Sequence, residues 1–215
     1  MRELFQLLVP LFVGLVMTAG NGVGGKLTPD GKSEIQCDLP GGEMLKNKGG
    51  SDRRGLCVFT SCEHSARWQA ISALVGFRDW MTKYPGGGYP EKLKAMIAKI
   101  CAERGVPIPD YVQLQGREEI LPILEAACQS GRMPCVTYSY SPTGRYGGQR
   151  INHMVNLVFL SSEWAGILDN NYPGPDKIEW IQTKDFLRSF TGGGNGWAVI
   201  FAAPSPPPFP FTKES

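Results

Sequence analysis

The chain has 215 residues, of which 42% are apolar and 20% charged. This is the composition of a folded globular protein and excludes a disordered chain, and the length suffices for one domain with a sizeable core. The formal net charge is only +2, and no basic run is interleaved with aromatic residues, so nucleic acids and acidic membranes are not expected partners.

Residues 1–20 have the pattern of a secretory signal peptide. A short polar start precedes an apolar run from Leu4 to Met17, and the small residues Thr18-Ala19-Gly20 follow. The apolar run is about fourteen residues long, whereas a membrane span needs roughly twenty. We therefore expect a secreted or periplasmic protein with no other membrane contact. An uncleaved N-terminal membrane anchor is the alternative.

Export changes the interpretation of the six cysteines, which are Cys37, Cys57, Cys62, Cys101, Cys128 and Cys135. An even number of cysteines in an oxidising compartment suggests disulfides. If one of them is a free nucleophile, at least one of the other five is also unpaired. The sequence does not define which cysteines pair.

Residues 21–50 are rich in glycine and lysine and are predicted to form a linker and an extended lead-in. A domain over residues 51–203 follows, and its first element is the most informative. Gly55-Leu56-Cys57 opens an amphipathic run that predicts a helix from Cys57 to about Val75. A cysteine at a helix N-terminus is stabilised as the thiolate, its reactive form, and the glycine allows close approach of the backbone to a substrate.

The later elements are helices first and strands afterwards. Further helices are predicted over Glu91–Arg104, over Arg117–Gln129 and within Ile178–Phe190; strands are predicted over Pro134–Tyr140, Asn152–Leu160, Trp164–Asp169 and Trp197–Ala202. Residues 204–215 form a Pro-rich tail. This order predicts an α+β fold with helices packed on one face of an antiparallel sheet of three or four strands.

A nucleophilic thiolate needs a base, and the chain has only two histidines. His64 would lie about 10 Å from Cys57 along one helix, too far for a hydrogen bond, and is expected at the surface. His153 lies in a predicted buried strand and is the better candidate. Asp169 ends the next strand and would hold the imidazole in one tautomer, with Asn170 as the alternative.

Cys62 competes with Cys57 as the nucleophile. Thr60 and Glu63 would form a capping box that starts the helix at Ser61 and places Cys62 in its first turn. We favour Cys57 because the preceding glycine suits a reactive site, whereas Cys62 falls on the apolar face. A zinc site at Cys57, Cys62 and His64 lacks a fourth ligand at a familiar spacing, so neither a metal nor another cofactor is expected.

The arrangement resembles the papain-like cysteine peptidase superfamily, in particular its C39-like and transglutaminase-like branches. The resemblance covers roughly residues 50 to 202 and is carried by Gly55-Leu56-Cys57 opening a helix, Gln129–Val136 at a helix end and strand entry, Asn152-His153-Met154-Val155 on a strand, and Leu168-Asp169 on the next. It implies N-terminal helices packed against a C-terminal antiparallel sheet. It also implies a peptide or protein substrate.

By this resemblance, Cys57 is the nucleophile, His153 the general base and later acid, and Asp169 the residue that orients His153. The implied function is a thiol hydrolase that acts on a peptide or amide bond through an acyl-enzyme. Papain-like enzymes usually have a glutamine a few residues before the cysteine, whereas this chain has Ser51-Asp52-Arg53-Arg54 there, so the oxyanion donor is open. The alternatives are a non-catalytic binding or structural module and a transglutaminase-like acyl transferase.

Overall fold

A computed structural model describes residues 20–35 and 44–204 of the chain. Residues 1–19 of the predicted signal peptide, Cys37, and residues 205–215 of the predicted tail lie outside this part. The described residues form helices α1 (Cys57–Trp68), α2 (Phe77–Met81), α3 (Pro90–Arg104), α4 (Leu121–Gln129) and α5 (Thr183–Thr191), and strands β1 (Gly22–Gly24), β2 (Tyr111–Gly116), β3 (Cys135–Tyr138), β4 (His153–Leu160), β5 (Trp164–Leu168), β6 (Ile178–Gln182) and β7 (Gly196–Phe201).

The strands form one sheet in the order β1-β6-β5-β4-β3-β7-β2, and every pairing is antiparallel. Strand β4 lies at its centre and alternates between the two faces, as the pleat requires. Met154 points into the apolar cluster that contains α1, while Val155 and Leu157 point into the cluster on the opposite face. The α+β fold, with N-terminal helices against an antiparallel sheet, is confirmed.

The prediction that all helices share one face of the sheet is wrong. Helices α1, α2 and α3 pack together on one face, whereas α4 and α5 cover the other. Strand β3 shows the reason, because Cys135 packs with the first group while its neighbours Val136 and Tyr138 are buried with the second. A strand that is apolar on both sides needs cover on both faces.

Helix α1 ends at Trp68 rather than near Val75. Ala70 adopts a left-handed conformation with φ 55°, and the N–H groups of Ala70 and Ile71 donate to the carbonyls of Arg67 and Ala66. These two bonds form a Schellman motif, which usually has glycine at the left-handed position. Because alanine occupies that position here, no residue in the sequence marks the end of the helix.

The sheet has more strands than were predicted. Strand β1 lies in the predicted lead-in and pairs with β6, and β2 forms an edge of the sheet beside β7. Three side chains of β2 are only half-buried, which fits an edge strand and explains its weak apolar alternation. In the described part of the chain, no helix combines the length and apolarity needed to cross a bilayer.

Candidate active site

A cleft of about 590 Å³ opens where the N-terminus of α1 meets the ends of β3 and β4. Cys57 and the strand residues His153 and Met154 line this cleft. Gly87 and Gly88, from the loop before α3, line it as well. The cleft therefore places the first residue of a helix next to the first residue of a central strand, although the two are almost a hundred positions apart in the chain.

Cys57 is the first residue of α1 and is partly exposed to the cleft. Burial of its sulfur acts to raise the thiol pKa, but the hydrogen bond and the positive charge of His153 outweigh that effect. The backbone N–H groups of Met154 and Val58 also stabilise the thiolate. As a result, the pKa of Cys57 lies below its ordinary value, which favours the nucleophilic form of the sulfur.

His153 is the first residue of β4 and is 9% exposed. Its Nε2 lies 2.8 Å from Asp169 Oδ1. Because an ionised carboxylate only accepts hydrogen bonds, Nε2 carries a proton, and Nδ1 is left to face Cys57. Burial acts to lower the imidazole pKa, but the bonds to Asp169 and Cys57 overcome it and raise the pKa of His153 to about 9.

Asp169 follows β5 directly and is fully buried. Besides His153, its carboxylate accepts hydrogen bonds from the Tyr146 hydroxyl at 2.5 Å and from the Asn171 backbone N–H at 2.8 Å. The Arg145 guanidinium lies 3.9 Å away. Burial alone would raise the pKa of Asp169, but His153 and these donors hold it below its ordinary value.

Asn170, the alternative to Asp169, has a different position and role. Its amide Nδ2 donates to the Ser61 hydroxyl at 3.0 Å, to the Met154 carbonyl at 2.9 Å and to the Cys57 carbonyl at 3.3 Å. Asn170 thus joins α1 to β4 and does not bond His153. Of these two residues, Asp169 is the one whose side chain bonds the imidazole of His153.

Cys62, the alternative to Cys57, lies five residues further along α1 and does not line the cleft. It is fully buried, and its sulfur is 3.9 Å from that of Cys135. The neighbouring Cys135 thiol and burial raise the pKa of Cys62 well above its ordinary value. Cys57 and Cys62 are both free thiols in the structure. No group of metal-binding side chains occurs among the described residues.

The prediction that His64 lies at the surface is wrong. His64 is fully buried, its Nε2 accepts the Leu45 N–H at 2.6 Å, and its Nδ1 lies 3.2 Å from the Asn156 Oδ1. Burial is the main cause that lowers the pKa of His64 to about 4. The neutral imidazole therefore serves as a structural link that fixes the segment before Cys57 against α1.

The sequence did not identify three polar residues of the site, which are Asn47, Asn171 and Tyr146. Asn47 Oδ1 accepts the Leu56 N–H at 3.0 Å, and its Nδ2 donates to Asn171 Oδ1 at 3.1 Å. Asn171 Nδ2 donates to the Tyr146 hydroxyl at 3.0 Å, which in turn donates to Asp169. A hydrogen-bonded chain thus runs around the cleft from Asn47 to Asp169. The nearest sequence signal was the polar Asn170-Asn171 pair that follows Asp169.

No protein-family model matches the chain, and a search of curated proteins gives no significant match. Solved structures, by contrast, identify the fold as the papain-like fold of C39-like peptidases. A crystal structure from Bacillus anthracis, of a protein provisionally described as a C39-like peptidase, superposes with a TM-score of 0.51 and 14% sequence identity. The match covers 81% of this chain and 99% of the other. At this identity the likeness concerns the fold.

Proposed function

We propose that this protein is a thiol hydrolase that cleaves a peptide or amide bond through an acyl-enzyme on Cys57. The observation that carries the proposal is the chain of contacts from Cys57 through His153 to Asp169, with the thiol pKa lowered and the imidazole pKa raised. These opposite shifts favour a thiolate–imidazolium pair, which supplies a nucleophile and an acid side by side. The pair titrates as a unit.

The reaction has two halves. The Cys57 thiolate attacks the carbonyl carbon, and the His153 imidazolium gives its proton to the leaving nitrogen as the C–N bond breaks. The resulting thioester is then attacked by water, from which neutral His153 removes a proton. Collapse of the second tetrahedral intermediate releases the acid product and restores the Cys57 thiolate. Asp169 holds the imidazole ring in place in both halves and stabilises its charged form.

Each tetrahedral intermediate carries an oxyanion that needs hydrogen-bond donors. The backbone N–H of Cys57 is one candidate, since it lies at the N-terminus of α1, where N–H groups have no intrahelical partner. The second candidate is the Asn47 side chain, which lines the same cleft. One Nδ2 proton of Asn47 is donated to Asn171, and the Leu56 N–H holds the amide in place. The other Nδ2 proton can therefore be donated to the oxyanion.

This assignment gives the site a donor although residues 51–54 contain no glutamine. In the structure, Asp52 and Arg54 bond each other. The amide comes instead from Asn47, ten positions before Cys57 in the chain, brought next to it by the bond to Leu56. We further propose that the protein acts outside the cytoplasm on peptide or protein substrates, as its N-terminal segment suggests.

A Cys57→Ser variant tests the proposal, with Cys62→Ser as the matched control. The protein is incubated with a library of internally quenched peptides, and intact mass spectrometry is used to look for an acyl adduct. We expect cleavage and an adduct in the wild type and in Cys62→Ser, and neither in Cys57→Ser. Cleavage that persists in Cys57→Ser would contradict the proposal, as would a wild-type protein that forms no adduct.

A further inference from the structure

A second depression, of about 560 Å³, adjoins the cleft that contains Cys57. The two share Arg54, Gly87 and Gly88, so together they form one continuous groove along the N-terminus of α1. The second depression also includes Tyr89 and Lys92 at the start of α3. A peptide bound across Cys57 would extend into it.

Three glycines, Gly86, Gly87 and Gly88, line this depression, and at two of them a larger residue does not fit. A Cβ atom on Gly86 would overlap the backbone of Arg54, and one on Gly88 would lie 2.5 Å from Val58 Cγ2. The loop therefore lies directly against the segment that carries Cys57. A substrate in the groove would meet backbone rather than side chains at these three glycines.

Lys92 anchors the loop that contains these glycines. Its Nζ donates to the carbonyls of Pro85, Gly86 and Gly87 at 2.7, 2.8 and 2.8 Å. These three bonds use all three protons of the ammonium group, but the acceptors are neutral. Lys92 therefore fixes the loop and leaves its positive charge uncompensated by these contacts.

Arg54 adds a second positive charge at the border of the two depressions. Its Nε bonds Asp52 Oδ2 at 2.5 Å, while its side chain is 70% exposed. Asp52 also accepts the Gly86 N–H, and this bond and the one to Arg54 lower the Asp52 pKa to about 2. Asp52 is thus one carboxylate whose charge acts on both Arg54 and Lys92. No aspartate or glutamate is among the described residues that line either depression.

We propose that this depression binds a carboxylate of the substrate, either an acidic side chain or a free C-terminus, within three residues of the bond that is cleaved. Arg54 is three positions from Cys57, so their Cα atoms lie at most about 11 Å apart. The N-terminus of α1 contributes further positive potential to the groove. The inference rests on the proposed function and adds to it a class of substrate.

Peptides in which a Michael acceptor replaces the scissile bond test this inference without requiring turnover. Pairs of probes carry Asp or Asn at each of the three positions on either side of the acceptor, or end in a free carboxylate or an amide. The readout is the second-order rate of Cys57 alkylation. In at least one pair, we expect the probe with the carboxylate to react about fivefold faster than its uncharged partner, which is the effect of one exposed ion pair. High salt should reduce this rate ratio.

Three variants separate the proposed contact from general charge effects. Arg54→Gln should bring the rate ratio close to one, whereas Arg53→Gln, a neighbouring exposed arginine outside both depressions, should leave it unchanged. Asp52→Asn should increase the ratio because it removes the competing carboxylate.

Equal rates for all pairs of probes would overturn the inference while the proposed function stands. An equal loss of preference in the Arg53 and Arg54 variants would overturn it as well. A Cys57 that reacts neither with these probes nor with iodoacetamide would instead contradict the proposed function itself.

Discussion

Asp169→Asn should weaken the ion pair between Cys57 and His153 without changing the shape of the site. The carboxylate oxygen that bonds His153 Nε2 at 2.8 Å is replaced by an amide oxygen, which still accepts the proton but lacks the negative charge. The Asn171 N–H still donates to that oxygen, whereas the new Nδ2 group takes the place of Oδ2 and donates to the Tyr146 hydroxyl oxygen instead of accepting from it. The substitution therefore isolates the electrostatic contribution of Asp169.

The magnitude follows from the pKa of His153, which is raised to about 9. The ordinary value is about 6.5, so the folded protein favours the imidazolium by about 3 kcal/mol. Among the causes that raise the pKa, the hydrogen bond to Asp169 comes first, ahead of the contacts with Cys57. Loss of the negative charge should thus lower the pKa of His153 by at least about one unit.

Nuclear magnetic resonance of the imidazole groups measures the pKa of His153 directly, since the chain has only two histidines. His153 should titrate near pH 9 in the wild type and at least about one unit lower in Asp169→Asn. The signal of His64, which is buried elsewhere, should not move and serves as an internal control. Asp176→Asn, which removes an exposed carboxylate, should leave both unchanged. An unshifted His153 in Asp169→Asn would refute the role assigned to Asp169.

Three further predictions concern the oxyanion donor, the buried histidine and the glycine loop. Asn47→Ala should lower kcat by about 10²-fold while iodoacetamide labels Cys57 at the wild-type rate. The control Asn152→Ala, at an exposed residue of the same cleft, should change neither kcat nor labelling, and an unchanged kcat in Asn47→Ala would exclude Asn47 as the oxyanion donor. The free energy of unfolding should fall by about 3 kcal/mol between pH 6.5 and pH 4 through His64, because its folded pKa of about 4 lies below its unfolded value and the unfolded chain takes up the proton first. Urea unfolding of the wild type and of His64→Gln measures this, and an equally steep pH dependence in both proteins would contradict it. Gly88→Ala should destabilise the folded protein by about 1–3 kcal/mol through its clash with Val58, and adding Val58→Ala should recover part of that loss. Thermal unfolding of the two single variants and the double variant measures this, and purely additive effects would show that the two sites do not interact.

The sequence predicted the elements whose signals are local. A cysteine behind a glycine at a helix start, a histidine on an apolar strand and an aspartate at the end of the next strand were each visible in the residue pattern. The structure brings Cys57, His153 and Asp169 together because α1 packs against β4 and because β5 lies beside β4 in the sheet. The order of the elements was therefore enough to predict this grouping.

What the sequence did not predict depends on distant contacts or on exceptions to local rules. Asn47 reaches the cleft through a bond to Leu56, and nothing in its own neighbourhood marks it as a donor. His64 looked like a polar position on a helix surface, but Leu45 and Asn156 cover it. Ala70 ends α1 in a conformation that usually requires glycine.

The measurement that tests the account most directly is iodoacetamide labelling of the free protein between pH 4 and 9, with the modified cysteine located by mass spectrometry. We expect Cys57 to be labelled rapidly well below the ordinary thiol pKa of about 8.5, and this reactivity to be lost in His153→Ala. Buried Cys62 should remain unlabelled in both proteins. Slow labelling of Cys57 in the wild type, or labelling at low pH that persists without His153, would contradict a thiolate–imidazolium pair at this site.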